Sequence, residues 1–232
     1  MRIDRRKALA LLGLGAAAPA AAQAQAQDVS FRHGVASGDP TQDRVVLWTR
    51  VTPAKPGADI SYTWELLPVD RRAGGAKRGV GVTGPDRDYT IKVDATGLDA
   101  GRAYTFRFEA AGQVSPMGRT RTLPKGPTKD VVIAVASCAL YPNGYFNAYQ
   151  AIADLPRIDL VLHLGDYIYE YGGPLTYGMD SPLAKDRPHD PPHECVSLAD
   201  YRRRHAQYKS DPGLQAAHAK ACLLYTSDAA DE

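Results

Sequence analysis

Cysteine is scarce in this sequence: Cys138, Cys195 and Cys222 are the three thiols in 232 residues. So few, and an odd number, do not make a disulfide framework, and at least one thiol is left for another purpose. Long apolar runs are missing as well. The stretch Ala8 to Pro19 falls short of the roughly 20 consecutive apolar residues that cross a bilayer, which excludes a membrane-bound body built on it. Neither sign of charge dominates, since 28 Lys and Arg stand against 26 Asp and Glu for a net charge of +2. A polyanion-binding surface resting on bulk charge is excluded, and no specific nucleic-acid binding is expected. With 44% hydrophobic and 23% charged residues, what remains is the composition of an ordinary globular protein.

Residues 1–27 have the layout of a removable export segment. Arg2, Arg5, Arg6 and Lys7 form a cationic head, Ala8 to Pro19 a short apolar stretch, and an Ala/Gln run with small residues follows. The adjacent Arg5 and Arg6 suggest the twin-arginine route, which carries proteins already folded and suits enzymes that load a metal first. The pair also fits the head of an ordinary secretion signal, because Ala8 and Ala10 stand where bulkier residues would be expected. Either route predicts a periplasmic or secreted protein with no membrane anchor once the signal is removed.

Residues 28–124 read as an immunoglobulin- or fibronectin-like β-sandwich. From Phe31 to Thr122, short alternating segments are broken by Gly, Pro and Asp, the pattern of antiparallel strands and turns. Ile60, Tyr62, Trp64 and Leu66 share one face of a two-residue repeat, as do Tyr89, Ile91 and Val93, and again Tyr104, Phe106 and Phe108. The stretch Gly97 to Phe108 predicts a tyrosine corner at Tyr104, although Tyr104 also fits a plain large core side chain. His33 and Asp39 are the only catalytic candidates here, and Asp39 before Pro40 reads as a turn residue.

After Pro124 to Pro127, a breaker-rich linker, the period changes, and residues 128–219 read as the start of an α/β domain. Val131 to Ala136 is a continuous apolar run, expected to be an interior parallel strand buried on both faces. Phe146, Tyr149, Ile152 and Ala153 recur at helical spacing, and Ile158 to Leu164 is a second apolar run. Strand, helix and strand make a βαβ crossover with parallel neighbours.

Ligands of open α/β sheets bind beyond the carboxyl ends of the strands. Cys138 follows the first run and Asp166, Tyr167 and Tyr169 follow the second, so these side chains are predicted to converge at one rim. Thiolate, carboxylate and phenolate donors suit a hard trivalent cation with one softer contact. An Asp166 carboxylate shared between two ions would hold them about 3.5 to 4 Å apart, as two-metal phosphoryl-transfer sites do. A Cys after a strand is otherwise usually a small buried hydrophobe, and an Asp there a helix cap.

Several stretches carry a family likeness. His33-Gly34-Val35-Ala36-Ser37-Gly38-Asp39-Pro40 and Val46-Leu47-Trp48-Thr49-Arg50 resemble the N-terminal domain of PhoD-like alkaline phosphatases. Ser137-Cys138, Leu164 to Glu170, Asp200-Tyr201-Arg202-Arg203-Arg204 and Tyr208-Lys209-Ser210-Asp211-Pro212 resemble the catalytic domain of that family, in the family's order. The resemblance implies a secreted phosphomonoesterase and phosphodiesterase with a metallophosphatase α/β sandwich, acting on phosphate esters with ferric iron and calcium. It implies that Cys138, Asp166 and Tyr169 are metal ligands and that Asp166, shared between ions, is the catalytic residue. In-line attack by metal-activated hydroxide is then expected, with no covalent serine intermediate.

His189, Asp190, His193 and Glu194 offer a second donor cluster, but Pro188, Pro191 and Pro192 argue for an extended loop that cannot turn all four inward. Arg202, Arg203 and Arg204 read as a solvated helix face, since consecutive helical positions point in different directions. Past Ala219 the family pattern would continue into an apolar strand and a Trp-Asp-Asp-His-Glu type motif. Residues 220–232 depart from it and are expected not to be native to the protein, leaving this 232-residue chain inactive and its sheet edge prone to aggregation. The rival reading is an exported Ig-like module that binds a surface polymer or partner, which leaves the Cys138 and Asp166 rim without a purpose. A nuclease or phospholipase would use the same metal chemistry on another ester.

Overall fold

A computed structural model describes residues 28–70, 74–172 and 181–225. The predicted export segment and residues 226–232 lie outside these described residues.

The first half alternates inward and outward side chains, and its strands pair accordingly. They are β1 (Val29–Ser30), β2 (Val35–Gly38), β3 (Arg44–Arg50), β4 (Thr52–Pro53), β5 (Ile60–Pro68), β6 (Lys77–Thr83), β7 (Thr90–Thr96), β8 (Ala103–Ala110), β9 (Gln113–Val114) and β10 (Gly118–Arg121). One antiparallel sheet runs β10-β8-β5-β6 with β9 also on β8, a second runs β2-β3-β7, and β1 and β4 form a small ribbon. Val45, Leu47, Ile91, Val93 and Ala95 from one sheet meet Ile60, Leu66, Tyr104, Phe106 and Phe108 from the other in a single core. Each large apolar side chain sealed there contributes on the order of 1.5–3 kcal/mol.

The Asp99 amide donates to the Tyr104 hydroxyl at 2.9 Å, so this fully buried phenol ties its strand back to the preceding turn, as a tyrosine corner does. Between β8 and β9 the chain reverses over Ala111 and Gly112, both at positive φ, the conformation that matches strand twist in a two-residue hairpin.

The second half begins with β11 (Ile133–Ala136), α1 (Asn147–Asp154) and β12 (Leu160–His163), and β11 and β12 are parallel with Ala136 opposite His163. Two helices follow, α2 (Leu198–Tyr208) and α3 (Pro212–Lys220). Ser197 and Asp200 close a reciprocal capping box at the start of α2, and Asp211 caps α3 through the Gly213 and Leu214 amides. Helix α3 lies against α1 so closely that a Cβ on Gly213 would stand 2.6 Å from the Phe146 carbonyl. Phe146, Tyr149, Tyr167, Ile168, Tyr208 and Leu214 fill the core among these helices.

Leu223–Tyr225 form β13, parallel to β12 with Leu162 opposite Leu224. Ala221, Cys222 and Leu223 are buried, and apolar residues reaching an open strand edge pair with it. The Cys222 sulfur lies 3.1 Å from the Thr120 hydroxyl and 3.4 Å from that of Ser37, so this segment is wedged against the sandwich. The first parallel strand was expected to be buried on both faces, but Ile133 is 47% and Val135 59% exposed. Ala136 packs against the cluster around Phe146 and Tyr149, while Ile133 and Val135 point the other way and stay open.

Candidate functional site

The carboxyl ends of β11 and β12 point the same way, and the loops leaving them are laced together. The Cys138 amide donates to the Gly165 carbonyl at 3.2 Å and the Ala139 amide to that of Asp166 at 2.9 Å. Cys138 at φ 59° and Asp166 at φ 51° both occupy the left-handed region, where a residue with a Cβ costs on the order of 1–3 kcal/mol and persists only if its surroundings hold it. The backbone cross-links supply that hold and aim both side chains at one point.

There the Tyr169 phenol donates to Asp166 Oδ2 at 2.9 Å, and the Cys138 thiol approaches the same oxygen at 3.5 Å. All three predicted side chains meet around one carboxylate oxygen. Burial, followed by the hydrogen bonds to Asp166 and Cys138, raises the Tyr169 pKa, so the phenol keeps its proton. Cys138 is exposed and opens on a cleft of about 480 Å³ lined by Ser137, Leu140, Asn143, Tyr145 and Phe146.

Tyr167, expected at the same rim, turns inward instead. Its hydroxyl lies 2.6 Å from His218 Nε2 and accepts from Lys209 Nζ at 3.1 Å, while Tyr149 and His163 meet at 2.7 Å nearby. Burial holds His163 neutral, with its pKa lowered to about 4, and lowers Lys209 to about 8. This layer is a polar floor under the rim. His163 and His218 come from β12 and α3, and only their inward positions on those elements signal them in the sequence.

The loop cluster disperses as its prolines suggest. His189 bonds the Tyr171 carbonyl at 2.9 Å and the Tyr208 hydroxyl at 3.0 Å, Asp190 pairs with Arg203, and His193 reaches Asp200 at 3.0 Å. Among the described residues no three His, Cys, Asp or Glu side chains gather as a metal site. The rim reaches three donors only by counting a phenol, and its mixture of carboxylate, phenol and thiol fits a hard cation of high charge.

The arginine triplet is a solvated face only in part, Arg203 being exposed and Arg204 buried. Arg202 donates to the Asp86 carbonyl at 2.7 Å across to the sandwich, Arg203 pairs with Asp190, and Arg204 is wholly buried. Asp200, Arg204 and Tyr208 are all buried at four-residue spacing, the stripe of α2 that packs inward.

Comparison with known proteins places both halves. Residues 16–124 match the family described as "PhoD-like phosphatase, N-terminal domain", and residues 133–229 match "PhoD-like phosphatase". Alkaline phosphatase D of Bacillus subtilis (strain 168) is 40% identical over 206 residues, covering 85% of this chain and 34% of that relative. A solved structure titled "Structure of PhoD" superposes with a TM-score of 0.74 at 39% identity, over 85% of this chain and 38% of the other. The chain thus spans about a third of the length of the relatives it matches. With two consecutive domains matched in order, the chain belongs to the PhoD-like phosphatase family.

Proposed function

We propose that this chain contributes the first part of the catalytic centre of an exported alkaline phosphatase or phosphodiesterase. The observation that carries the reading is the meeting of Cys138 Sγ, Asp166 Oδ2 and Tyr169 Oη at the carboxyl ends of two parallel strands. These three would hold the metal, ferric iron and calcium by family resemblance, with Asp166 shared between ions. When bound, such ions supply Lewis acidity toward the phosphate oxygens and the attacking water.

The residues of this chain do the positioning. Asp166 is fixed by its own loop and by the Tyr169 hydroxyl, so its second oxygen is left to face the rim. Cys138, on the exposed side, marks where a phosphate ester would approach, and Tyr149, His163, Tyr167 and His218 keep water from reaching the carboxylate from below. The sandwich, of immunoglobulin type on the strength of the Tyr104 corner, would support this rim rather than bind substrate. Export by the twin-arginine route rests on Arg5 and Arg6; no helix among the described residues is long and apolar enough to cross a membrane.

The test is Asp166→Asn in the full-length enzyme. Metal content per chain and turnover of a chromogenic phosphate ester should both collapse. A variant that stays metal-replete and active overturns the assignment. The 232-residue chain alone, with three of the donors, should release no product above background.

A further inference from the structure

Arg204 is the largest fully buried side chain in the described residues, and no carboxylate among those residues lies within ion-pairing distance of it. Its guanidinium is offset by backbone carbonyls instead. Nη1 donates to the carbonyls of Tyr169 and Tyr171, the latter at 3.1 Å; Nη2 donates to Pro191 at 2.7 Å and His193 at 3.4 Å; Nε donates to Asp190 at 3.3 Å. Five carbonyls from two separate loops therefore converge on one planar fork, an arrangement only arginine can satisfy.

From these contacts we infer that Arg204 is a positioning residue for the Tyr169 donor, and that it couples the loop bearing Tyr169 to the loop over residues 190–193. This deepens the proposed function and rests on Tyr169 being a metal ligand. Tyr169 is gripped from both ends: its phenol by Asp166 and its carbonyl by Arg204. The second loop is bound to the first again through His189, which bridges the Tyr171 carbonyl and the Tyr208 hydroxyl one turn beyond Arg204. Without the guanidinium, five carbonyls lose a donor, that of Pro191 buried and the others partly so, and the cheapest relief is for both loops to move toward water. The phenol of Tyr169 would move with its backbone. A lysine keeps the charge but cannot span both loops, so the effect follows from fork geometry and not from charge alone.

The experiment uses the iron-loaded, full-length enzyme and reads the visible charge-transfer band that a phenolate gives on ferric iron, together with iron affinity. Arg204→Lys and Arg204→Gln should each weaken iron binding about 10- to 100-fold, the usual effect of losing a group that orients a ligand, and shift or bleach the band. Arg203→Lys, one position away on the same helix, should leave both unchanged. Folded Arg204 variants with the parent band and affinity overturn the inference. If neither variant folds, hydrogen–deuterium exchange of the parent decides it. Iron loading should protect the amides of residues 169–171 and 190–193 together, and protection confined to residues 166–169 overturns the coupling. Tyr169→Phe separates the two claims: if the band survives that change, the ligand assignment fails, whereas if only the Arg204 variants keep it, the positioning role fails.

Discussion

The ammonium of Lys209 lies 4.6 Å from the centre of the Trp48 ring, so the residue that ends α2 rests on a strand of the sandwich. The same nitrogen donates to Tyr167 under the candidate site, and it has no carboxylate partner among the described residues. The indole face supplies part of the negative potential that a carboxylate would otherwise give. Trp48→Ala should therefore destabilise the protein by about 2 kcal/mol, combining lost packing with an uncompensated cation, while Trp48→Phe should recover about half of that. Urea unfolding of the two variants checks the order.

Acid should weaken the fold well before the carboxylates protonate. His33, His189 and His205 are each held neutral, with pKa values lowered to about 4 from 6.5, first by burial and then by neighbouring cations. The unfolded chain takes up these protons from about pH 6.5 downward and the folded one only near pH 4, so stability falls across that window and levels off below it. Lys209 gives a second slope of the same sign: with its folded pKa at about 8 against 10.5 when exposed, stability rises between those values. Thermal melts from pH 7 to 4 should lose several degrees, and His205→Gln should flatten the curve.

Asp211 serves two structures at once. One oxygen caps α3 through the Gly213 amide at 2.9 Å, and the other pairs at 2.9 Å with Arg187, whose guanidinium also lies 3.7 Å from the Tyr141 ring centre. Both partners are nearly sealed from water, so Asp211→Ala leaves a buried cation alone and should cost about 3–5 kcal/mol. Asp211→Asn retains the cap and should lose about 1 kcal/mol less. Denaturant midpoints of the two variants separate cap from charge.

How far the sequence discloses all this depends on the range of the interactions. The Tyr104 corner and the βαβ crossover follow from local periodicity, and the meeting of Cys138, Asp166 and Tyr169 follows from parallel pairing, which puts both loops at one end. Arg204 is not legible in that way. Its carbonyl partners lie 11 to 35 positions away, and a run of three arginines looks solvated until the burial of Asp200 and Tyr208 on either side is known. The inward turn of Tyr167 is likewise decided by His218, 51 positions on. The strand at Leu223–Tyr225 is not legible either, since three residues make one only because the free edge of β12 lies beside them.

Cys222 sits where that last strand meets the sandwich, its sulfur enclosed by the hydroxyls of Ser37 and Thr120, whereas Cys138 stands open at the rim. An alkylating reagent would label Cys138 at once and reach Cys222 only when the seam between the two halves parts. The Cys222 thiol is thus a built-in clock for how often those halves separate.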